Sequence, residues 1–310
     1  CIDNISNFFV LSLYLFVDVN MNISEREKLY SLFRDHGEAL GTNRTTTTVL
    51  QSFINAVKLL RCKREYLLVQ YAELIEIIKN TEPRIVPLIH LIEQFETEIR
   101  AYVDAGSDEI KNQTIRILKQ KIELYESMTE EVILAGREHV LDNDVIITHS
   151  ASTVVERILV EAKKELNRKF SVIVLKQDFL RTKQMITWLT EANIDHIIVP
   201  EYSLSLQLEK ATKMFIGAVS FTHDKQAVAV VGTANVVSFC HYNHIPVYLF
   251  VKTLKFSHQP CTRQHIYLKV VDMVQDGCVY PLTTHSHDLI DLKLVDHLIT
   301  ENGEVEIGTL

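Results

Sequence analysis

The sequence predicts an α/β protein with an all-helical N-terminal domain followed by a Rossmann-like, doubly wound parallel-sheet domain. Two patterns indicate this. In the first half of the chain, apolar residues recur three and four positions apart with almost no glycine, as in amphipathic helices. In the second half, short apolar runs alternate with helical stretches, as in a parallel sheet covered on both faces. We therefore predict a helical domain over residues 23–140 and an α/β domain over residues 141–310, preceded by an N-terminal extension, residues 1–22.

The N-terminal extension contains an apolar run, FFVLSLYLFV, at residues 8–17. The run is well short of the roughly 20 residues that span a bilayer, and Asp3 precedes it where a signal peptide has basic residues. It therefore fits neither a membrane span nor a signal peptide. Whether residues 1–22 belong to the helical domain or to an upstream segment stays open on sequence alone.

The helical domain is predicted from its apolar stripes. One stripe runs from Val49 to Leu60, and a second runs from Leu67 to Ile78. Pro87 stands near the start of a third helix, a position that proline tolerates well. A long amphipathic helix is then expected over residues 110–140.

The α/β domain is predicted from apolar runs and the helical stretches between them. The predicted strands are residues 145–148, 171–175, 196–199, 214–218 and 245–251. The predicted helices are residues 152–167, 180–192, 203–211, 233–243 and 289–299. A short ribbon is expected before residue 231, and residues 257–280 carry only a weak pattern. Because ligands of doubly wound sheets bind at the carboxyl ends of the strands, we expect a functional site there.

Composition and motifs exclude several classes of function. The formal net charge of −8 argues against direct nucleic-acid binding, which requires a basic face. The five scattered cysteines form no C-x-x-C pair, which is typical of reduced thiols in a cytoplasmic protein. The sequence contains no P-loop, no G-x-G-x-x-G and no G-x-S-x-G motif, and its histidines lack metal-binding spacing. No cofactor and no metal are therefore expected.

Polar residues follow three of the predicted strand ends and are expected to meet in one crevice. These residues are His149, Ser150, Ser152, Glu201, Gly232 and Thr233. Two of the three positions begin helices, whose free backbone N–H groups attract anions. The residues are therefore predicted to form a cradle for a phosphorylated small molecule.

Each pocket residue also has an ordinary structural interpretation. Serines are common helix N-caps, and a Gly-Thr pair fits a tight turn with a capping hydroxyl. His149 fits a buried, hydrogen-bonded histidine. Glu201 stands out, because a carboxylate at the carboxyl end of a strand in such a sheet is often functional. The sequence shows no partner base for it.

Several segments resemble the regulatory alpha, beta and delta subunits of eukaryotic translation initiation factor 2B, which are similar to ribose-1,5-bisphosphate and methylthioribose-1-phosphate isomerases. The segments are NDVIITHSASTVVERIL (143–159), IGA (216–218), VGTA (231–234), NHIPVYLF with KTLKF (243–256) and HDLIDLKLVDHLITENG (287–303). The likeness covers roughly residues 40–303. GTNR (41–44), VGTA and TLKF suit the delta subunit best. On this resemblance, Arg44 and Lys255 join the predicted pocket.

The resemblance also implies that the catalytic groups of the isomerases are missing. Their cysteine falls in the turn occupied by His149-Ser150-Ala151, their aspartate at Val219, and their Asn-Lys pair at Ala229-Val230. Groups that transfer protons in such reactions each contribute roughly 10²–10⁴-fold. We therefore assign no catalytic residue and interpret the pocket as degenerate.

What the resemblance implies is a non-catalytic regulatory subunit of the cytoplasmic guanine nucleotide exchange complex for initiation factor 2. Its expected partners are the other subunits of initiation factor 2B and the alpha subunit of initiation factor 2, with no membrane. Two alternatives stay open. One is a sugar-phosphate isomerase that uses Glu201 and His149, and the other is a sensor that binds a sugar phosphate or nucleotide without reacting.

Overall fold

The computed structural model describes residues 23–81, 84–149, 152–176 and 179–309, and the predicted N-terminal extension lies outside them. The described residues form two compact units, which divide between Ser127 and Met128. This division lies inside the helix Ser107–Arg137, whose residues Val132 and Ile133 are buried in the core of the second unit. The domain boundary at residue 140 stays a prediction.

Helices build the first unit. They are α1 (Ile23–Leu59), α2 (Arg64–Lys79), α3 (Val86–Ile99) and α4 (Ser107–Arg137), of which α4 continues into the second unit. Gly41 interrupts α1 with φ 73° and ψ 164°, so the GTNR segment enters a new helical run. Phe53, Tyr71 and Phe95 bring three helices together, with ring centroids 5.4 to 6.1 Å apart in edge-on geometry. None of the described helices has an apolar stretch long enough to span a bilayer.

Strands and three further helices build the second unit. The strands are β1 (Val145–Thr148), β2 (Ser171–Lys176), β3 (Asp195–Pro200), β4 (Lys213–Gly217), β5 (Ser220–Thr222), β6 (Gln226–Val230), β7 (Val247–Phe250), β8 (Phe256–Ser257), β9 (Leu268–Gln275), β10 (Cys278–His285), β11 (His287–Asp291), β12 (His297–Thr300) and β13 (Gly303–Val305). The helices are α5 (Thr153–Lys164), α6 (Phe179–Glu191) and α7 (Thr233–Tyr242).

The main sheet has seven strands in the order β13-β12-β7-β4-β1-β2-β3. All of its neighbouring strands run parallel except β12 and β13. The predicted parallel strands are confirmed, with bounds that differ by at most two residues. Successive side chains alternate between two apolar clusters: Ile147 and Met214 lie in one, Ile146 and Phe215 in the other. The sheet is therefore buried on both faces, as a doubly wound fold requires.

A smaller sheet, with the order β11-β6-β5-β8, contains the ribbon that the sequence predicted. It also corrects a prediction. Residues 289–299 were expected to form a helix, but they form part of β11, a 3₁₀ turn at Leu292–Leu294 and part of β12. Their apolar spacing fits a helix, yet β11 pairs antiparallel with β6, with Leu289 opposite Val228. Long-range pairing has overridden the local pattern here.

The predicted helix over residues 203–211 is also wrong. The chain forms a 3₁₀ helix, Glu201–Leu206, followed by turns. Leu204, Leu208 and Ala211 have the spacing of one helix face and all pack on the same core cluster, yet the element ends at Leu206, which is 76% exposed.

The weakly patterned residues 257–280 contain most of a β-hairpin formed by β9 and β10. Asp276 and Gly277 join its strands with φ angles of 49° and 79°, which are those of a type I′ turn. An Asp-Gly pair between two runs rich in β-branched residues is a strong hairpin signal, although no hairpin was predicted here.

Candidate functional site

Three side chains meet at the carboxyl edge of the main sheet. His149 follows β1, Glu201 follows β3, and Thr233 opens α7. The His149 ring is fully buried, with Nδ1 3.0 Å from Thr233 Oγ1 and Nε2 3.1 Å from Glu201 Oε2. We call this arrangement the Thr–His–Glu chain. It joins two strand ends and a helix start that are far apart in sequence.

The hydrogen bonds of Thr233 fix one tautomer of the histidine. Thr233 Oγ1 donates to the Val230 carbonyl at 2.6 Å, so it accepts from His149 Nδ1–H. The second ring nitrogen, His149 Nε2, forms its hydrogen bond with Glu201 Oε2. Because the Thr233 proton points away from the histidine, Thr233 is not an activated nucleophile of the serine-protease type.

Glu201 is the solvent-facing member of the chain, with 37% of its side chain exposed. It lies in a cleft of about 240 Å³ whose lining also includes Tyr202, Leu204, Asn235 and Phe239. Among the described residues, this lining contains no lysine or arginine. The cleft therefore lacks the cations that usually neutralise a bound phosphate.

Gly232 allows the Thr–His–Glu chain to close. Its φ of 92° lies in the left-handed region, and a Cβ atom there would lie 2.9 Å from His149 Cε1 and 3.0 Å from Glu201 Oε2. Glycine is therefore required both by the backbone and by the space that the two side chains fill. The role of Gly232 in this structure is steric.

The N-terminus of α7 already binds an anion from its own chain. Asp288 Oδ2 accepts a hydrogen bond of 3.0 Å from the Ala234 backbone N–H. A carboxylate at this position satisfies a helix N–H group and the positive end of the helix dipole, as a bound phosphate would. Asp288 was not among the predicted pocket residues, because the helix predicted over residues 289–299 gave no reason to place it at the crevice.

Of the two serines predicted to line the pocket, only Ser152 lies within the described residues. Ser150, with Ala151, lies outside the described residues. Ser152 is the N-cap of α5, and its Oγ accepts from the Val155 backbone N–H at 3.5 Å. Gly217 provides the space for this side chain, since a Cβ at that glycine would collide with Ser152 Oγ. The geometry of Ser152 is that of an ordinary cap.

Two buried lysines follow β7 on the same edge of the sheet. Lys255 Nζ donates to the Ala218 carbonyl at 2.5 Å, and burial lowers its pKa to about 8. Lys252 Nζ donates to Thr129 Oγ1 at 2.7 Å, and burial, with a smaller contribution from Lys255, lowers its pKa to about 6. Lys255 was among the predicted pocket residues and Lys252 was not, although its position two residues after an apolar strand could have identified it.

Val219 and Arg44 complete the predicted set. Val219, half-buried between β4 and β5, donates its backbone N–H to the Val228 carbonyl at 2.7 Å. Its side chain cannot transfer a proton. Arg44 lies in the helical unit, on α1 just after Gly41, and is partly buried there. Its assignment to the pocket stays a prediction.

The doubly wound sheet, the antiparallel ribbon beside it and the polar strand ends define a Rossmann-like protein of the type shared by initiation-factor subunits and sugar-phosphate isomerases. Residues 38–306 match the model of the initiation factor 2 subunit family, IF-2B. The chain belongs to this family.

Relatives with known names agree with this assignment. A Pyrococcus furiosus protein named translation initiation factor eIF-2B subunit 2-like is 28% identical over 180 residues, which are 57% of this chain and 63% of the relative. The Schizosaccharomyces pombe translation initiation factor eIF2B subunit delta is 26% identical over 189 residues, which are 58% of this chain and 39% of the relative. The matched region thus spans less than two thirds of either protein.

Solved structures show the same fold. The Pyrococcus horikoshii translation initiation factor eIF-2B has a TM-score of 0.72 at 22% identity, covering 90% of this chain and 97% of that one. The 5-methylthioribose 1-phosphate isomerase of the same organism has a TM-score of 0.66 at 15% identity, covering 86% and 80%. The predicted kinship between the family and these isomerases is therefore confirmed at the level of the fold.

Proposed function

We propose that this chain is a non-catalytic regulatory subunit of the initiation factor 2B exchange complex, of the delta type, and that it works in the cytoplasm. Its partners are the other subunits of the complex and initiation factor 2, through the alpha subunit of that factor. The observation that carries the proposal is the closed Thr–His–Glu chain, in which the polar groups of the crevice bond to one another.

Isomerisation of a sugar phosphate requires groups that reach the substrate and exchange protons with it. His149 and Thr233 are buried and engaged, and Val219 stands where the resemblance places the aspartate of the isomerases. Asp288 occupies a helix N-terminus that could otherwise hold a phosphate. These features favour a scaffold over an enzyme.

An assembly role is supported by the family. The tetrameric eIF2B-beta2-delta2 complex from C. thermophilum contains a chain with a TM-score of 0.68 to this one, at 17% identity and with 93% and 92% of the two chains covered. That complex is built from family members. By analogy, we infer that this chain also works in an assembly.

A second candidate function follows from one distance. His149 Nε2 lies 3.1 Å from Glu201 Oε2, so an acid and a base are in contact at the carboxyl edge of the sheet. Since Glu201 is partly exposed, it could exchange a proton with a ligand in the cleft while His149 holds its orientation. This arrangement supports a sugar-phosphate isomerase built on a different pair of groups from those of the relatives.

One assay separates the two candidates. The purified chain is incubated with ribose 1,5-bisphosphate or methylthioribose 1-phosphate, and the ketose product is measured. We expect no product above a protein-free control. Turnover approaching the enzyme median of ~10 s⁻¹ that is lost in Glu201→Gln would establish the isomerase instead. Exposed Glu209→Gln is the matched control, because it changes a carboxylate away from the pair.

The assembly role has its own test. The tagged full chain is purified from its own cell, and the co-purifying proteins are identified by mass spectrometry. We expect subunits of initiation factor 2B in stoichiometric amounts. Recovery of the chain without any of them would contradict the proposal.

A further inference from the structure

The cleft beside Glu201 lies between two elements of the second unit. The 3₁₀ helix Glu201–Leu206 supplies one wall, and α7 supplies the other. Leu204 and Val236 lie at its base, since both are buried members of one apolar cluster. Because close-packed cores hold their side chains in place, this base fixes the two walls relative to each other before any ligand binds.

Three polar side chains of the lining have atoms available to a ligand. Glu201 uses Oε2 for the contact with His149, and its Oε1 receives no hydrogen bond from the described part of the chain. Ser205 and Asn235 are exposed, and their side chains form no hydrogen bonds with other described residues. A carboxylate oxygen only accepts hydrogen bonds, so a ligand that contacts Glu201 must be a donor.

His149 orients this carboxylate. Its buried ring is held at both nitrogens, by Thr233 Oγ1 at 3.0 Å and by Glu201 Oε2 at 3.1 Å. A fixed ring holds Oε2 in place, which leaves Oε1 as the oxygen that a ligand can reach. The carboxylate therefore does not have to be reoriented when a ligand binds, and such preorganisation favours affinity.

Two aromatic rings line the same cleft. Tyr202 is 89% exposed and Phe239 is 40% exposed, and neither ring stacks on another ring of the described residues. The face of an aromatic ring carries partial negative charge and attracts a cation within about 6 Å of its centre. The rings and the carboxylate thus favour the same kind of ligand. The net charge of −8 acts in the same direction, because it attracts cations and repels anions.

We propose that this cleft binds a small organic ammonium ion. The ammonium group donates to Glu201 Oε1 and to the oxygen atoms of Ser205 and Asn235, and the apolar body of the ligand lies against Tyr202 and Phe239. The volume of about 240 Å³ is below the range of about 300–1,000 Å³ typical of pockets for drug-sized molecules, so the ligand is small.

This ligand has the opposite charge to the phosphate that the sequence predicts for the crevice. Its binding requires neither catalysis nor assembly with other subunits, so the inference goes beyond the proposed function.

The first test compares probes that share a phenylethyl body and differ in the charge of the head group. They are 2-phenylethylammonium, 2-phenylethanol and 3-phenylpropionate, which are cationic, neutral and anionic. Their binding to the full chain is measured by ligand-observed NMR titration at pH 7. We expect the cation to bind at least about tenfold more tightly than the alcohol, and the anion to bind most weakly. Absence of cation binding, equal binding of cation and alcohol, or tighter binding of the anion would overturn the proposal.

The second test locates the binding with variants of the full chain. Glu201→Gln removes the negative charge and keeps a side chain of the same size, so the affinity for 2-phenylethylammonium should fall about ten- to hundredfold. Tyr202→Ala removes a largely exposed ring, which does not endanger the fold, and the affinity should fall about two- to fivefold. Exposed Glu209→Gln is the matched control, because it removes the same charge outside the cleft lining and should leave the affinity unchanged.

An affinity that is unchanged in both cleft variants, or that falls equally in Glu209→Gln and Glu201→Gln, would refute the site. None of the probes is a sugar phosphate, and the co-purification experiment uses none of them. Failure of this inference is therefore distinguishable from failure of the proposed function.

Discussion

The two edges of the main sheet bury lysines in different ways. At the amino edge, Lys213 Nζ lies 2.9 Å from Asp144 Oδ2 and also donates to the His139 carbonyl. At the carboxyl edge, Lys255 Nζ donates to the Ala218 backbone carbonyl, which is neutral, and Lys252 Nζ donates to the Thr129 hydroxyl. All of these lysines are at least nine-tenths buried. The Lys213 charge is therefore compensated by a carboxylate, whereas burial is the dominant influence on the two amines of the carboxyl edge.

At the carboxyl edge, the acceptor of the Lys255 hydrogen bond is a backbone carbonyl and not a carboxylate. Burial without a carboxylate acceptor disfavours the charged form of an amine, and it lowers the pKa of Lys255 to about 8. The Ala218 carbonyl that accepts the hydrogen bond of Lys255 directly precedes Val219, the position where the resemblance places an aspartate. Valine at this position supplies no carboxylate, which is consistent with the lowered pKa of Lys255.

The amino edge should be the more sensitive of the two to loss of a charge. Asp144→Ala leaves the Lys213 ammonium buried without its carboxylate, and it also removes the acceptor of the Leu141 backbone N–H. We expect a loss of about 3–5 kcal/mol in the free energy of unfolding, measured by chemical denaturation. Asp195→Ala, at an exposed strand start, should change it by no more than about 0.5 kcal/mol. A loss for Asp144→Ala that matches this control would show that the ion pair does not stabilise the edge.

The carboxyl edge should respond to pH. The pKa of Lys252 falls from 10.5 to about 6 on folding, so between these values the unfolded chain binds more protons than the folded one, and stability rises with pH. Each pH unit in this window corresponds to about 1.4 kcal/mol. Relative to Lys252→Met, the wild type should therefore gain about 2.8 kcal/mol between pH 7 and pH 9.

The variant is the control for this measurement, because all other titrating groups are common to both proteins and cancel in the comparison. The unfolding curves of the wild type and of Lys252→Met are measured at pH 7 and at pH 9. If wild type and Lys252→Met show the same pH dependence, the Lys252 amine is charged in the folded state.

The sequence was sufficient for the parallel sheet and insufficient for the elements around it. Continuous apolar runs identify buried parallel strands, because such strands face apolar neighbours on both sides. The residues of β11 and β12 have apolar spacing that fits a helix equally well, and their pairing with β6 and β7 decides the outcome. Sequence periodicity carries no information on such distant partners.

The same limit applies to the crevice. His149, Glu201 and Thr233 could be brought together from the sequence, since the carboxyl ends of parallel strands and the helix starts that follow them share one edge. The direction of their hydrogen bonds could not be predicted from the sequence, because it depends on side-chain rotation and on the position of the Val230 carbonyl. Asp288 was missed for the reason that β11 was missed.

The smallest expected effect compares two glycines with similar backbones. Gly232 and Gly277 both have positive φ, at 92° and 79°, but a Cβ at Gly277 would meet nothing within 4 Å. Gly277→Ala therefore measures backbone strain alone, about 1–2 kcal/mol. Gly232→Ala adds a collision with His149 and Glu201, so we expect a further loss of about 1–3 kcal/mol in the free energy of unfolding. If the two variants lose the same amount, the Thr–His–Glu chain yields to the added methyl group, and the crevice is more adaptable than its hydrogen bonds indicate.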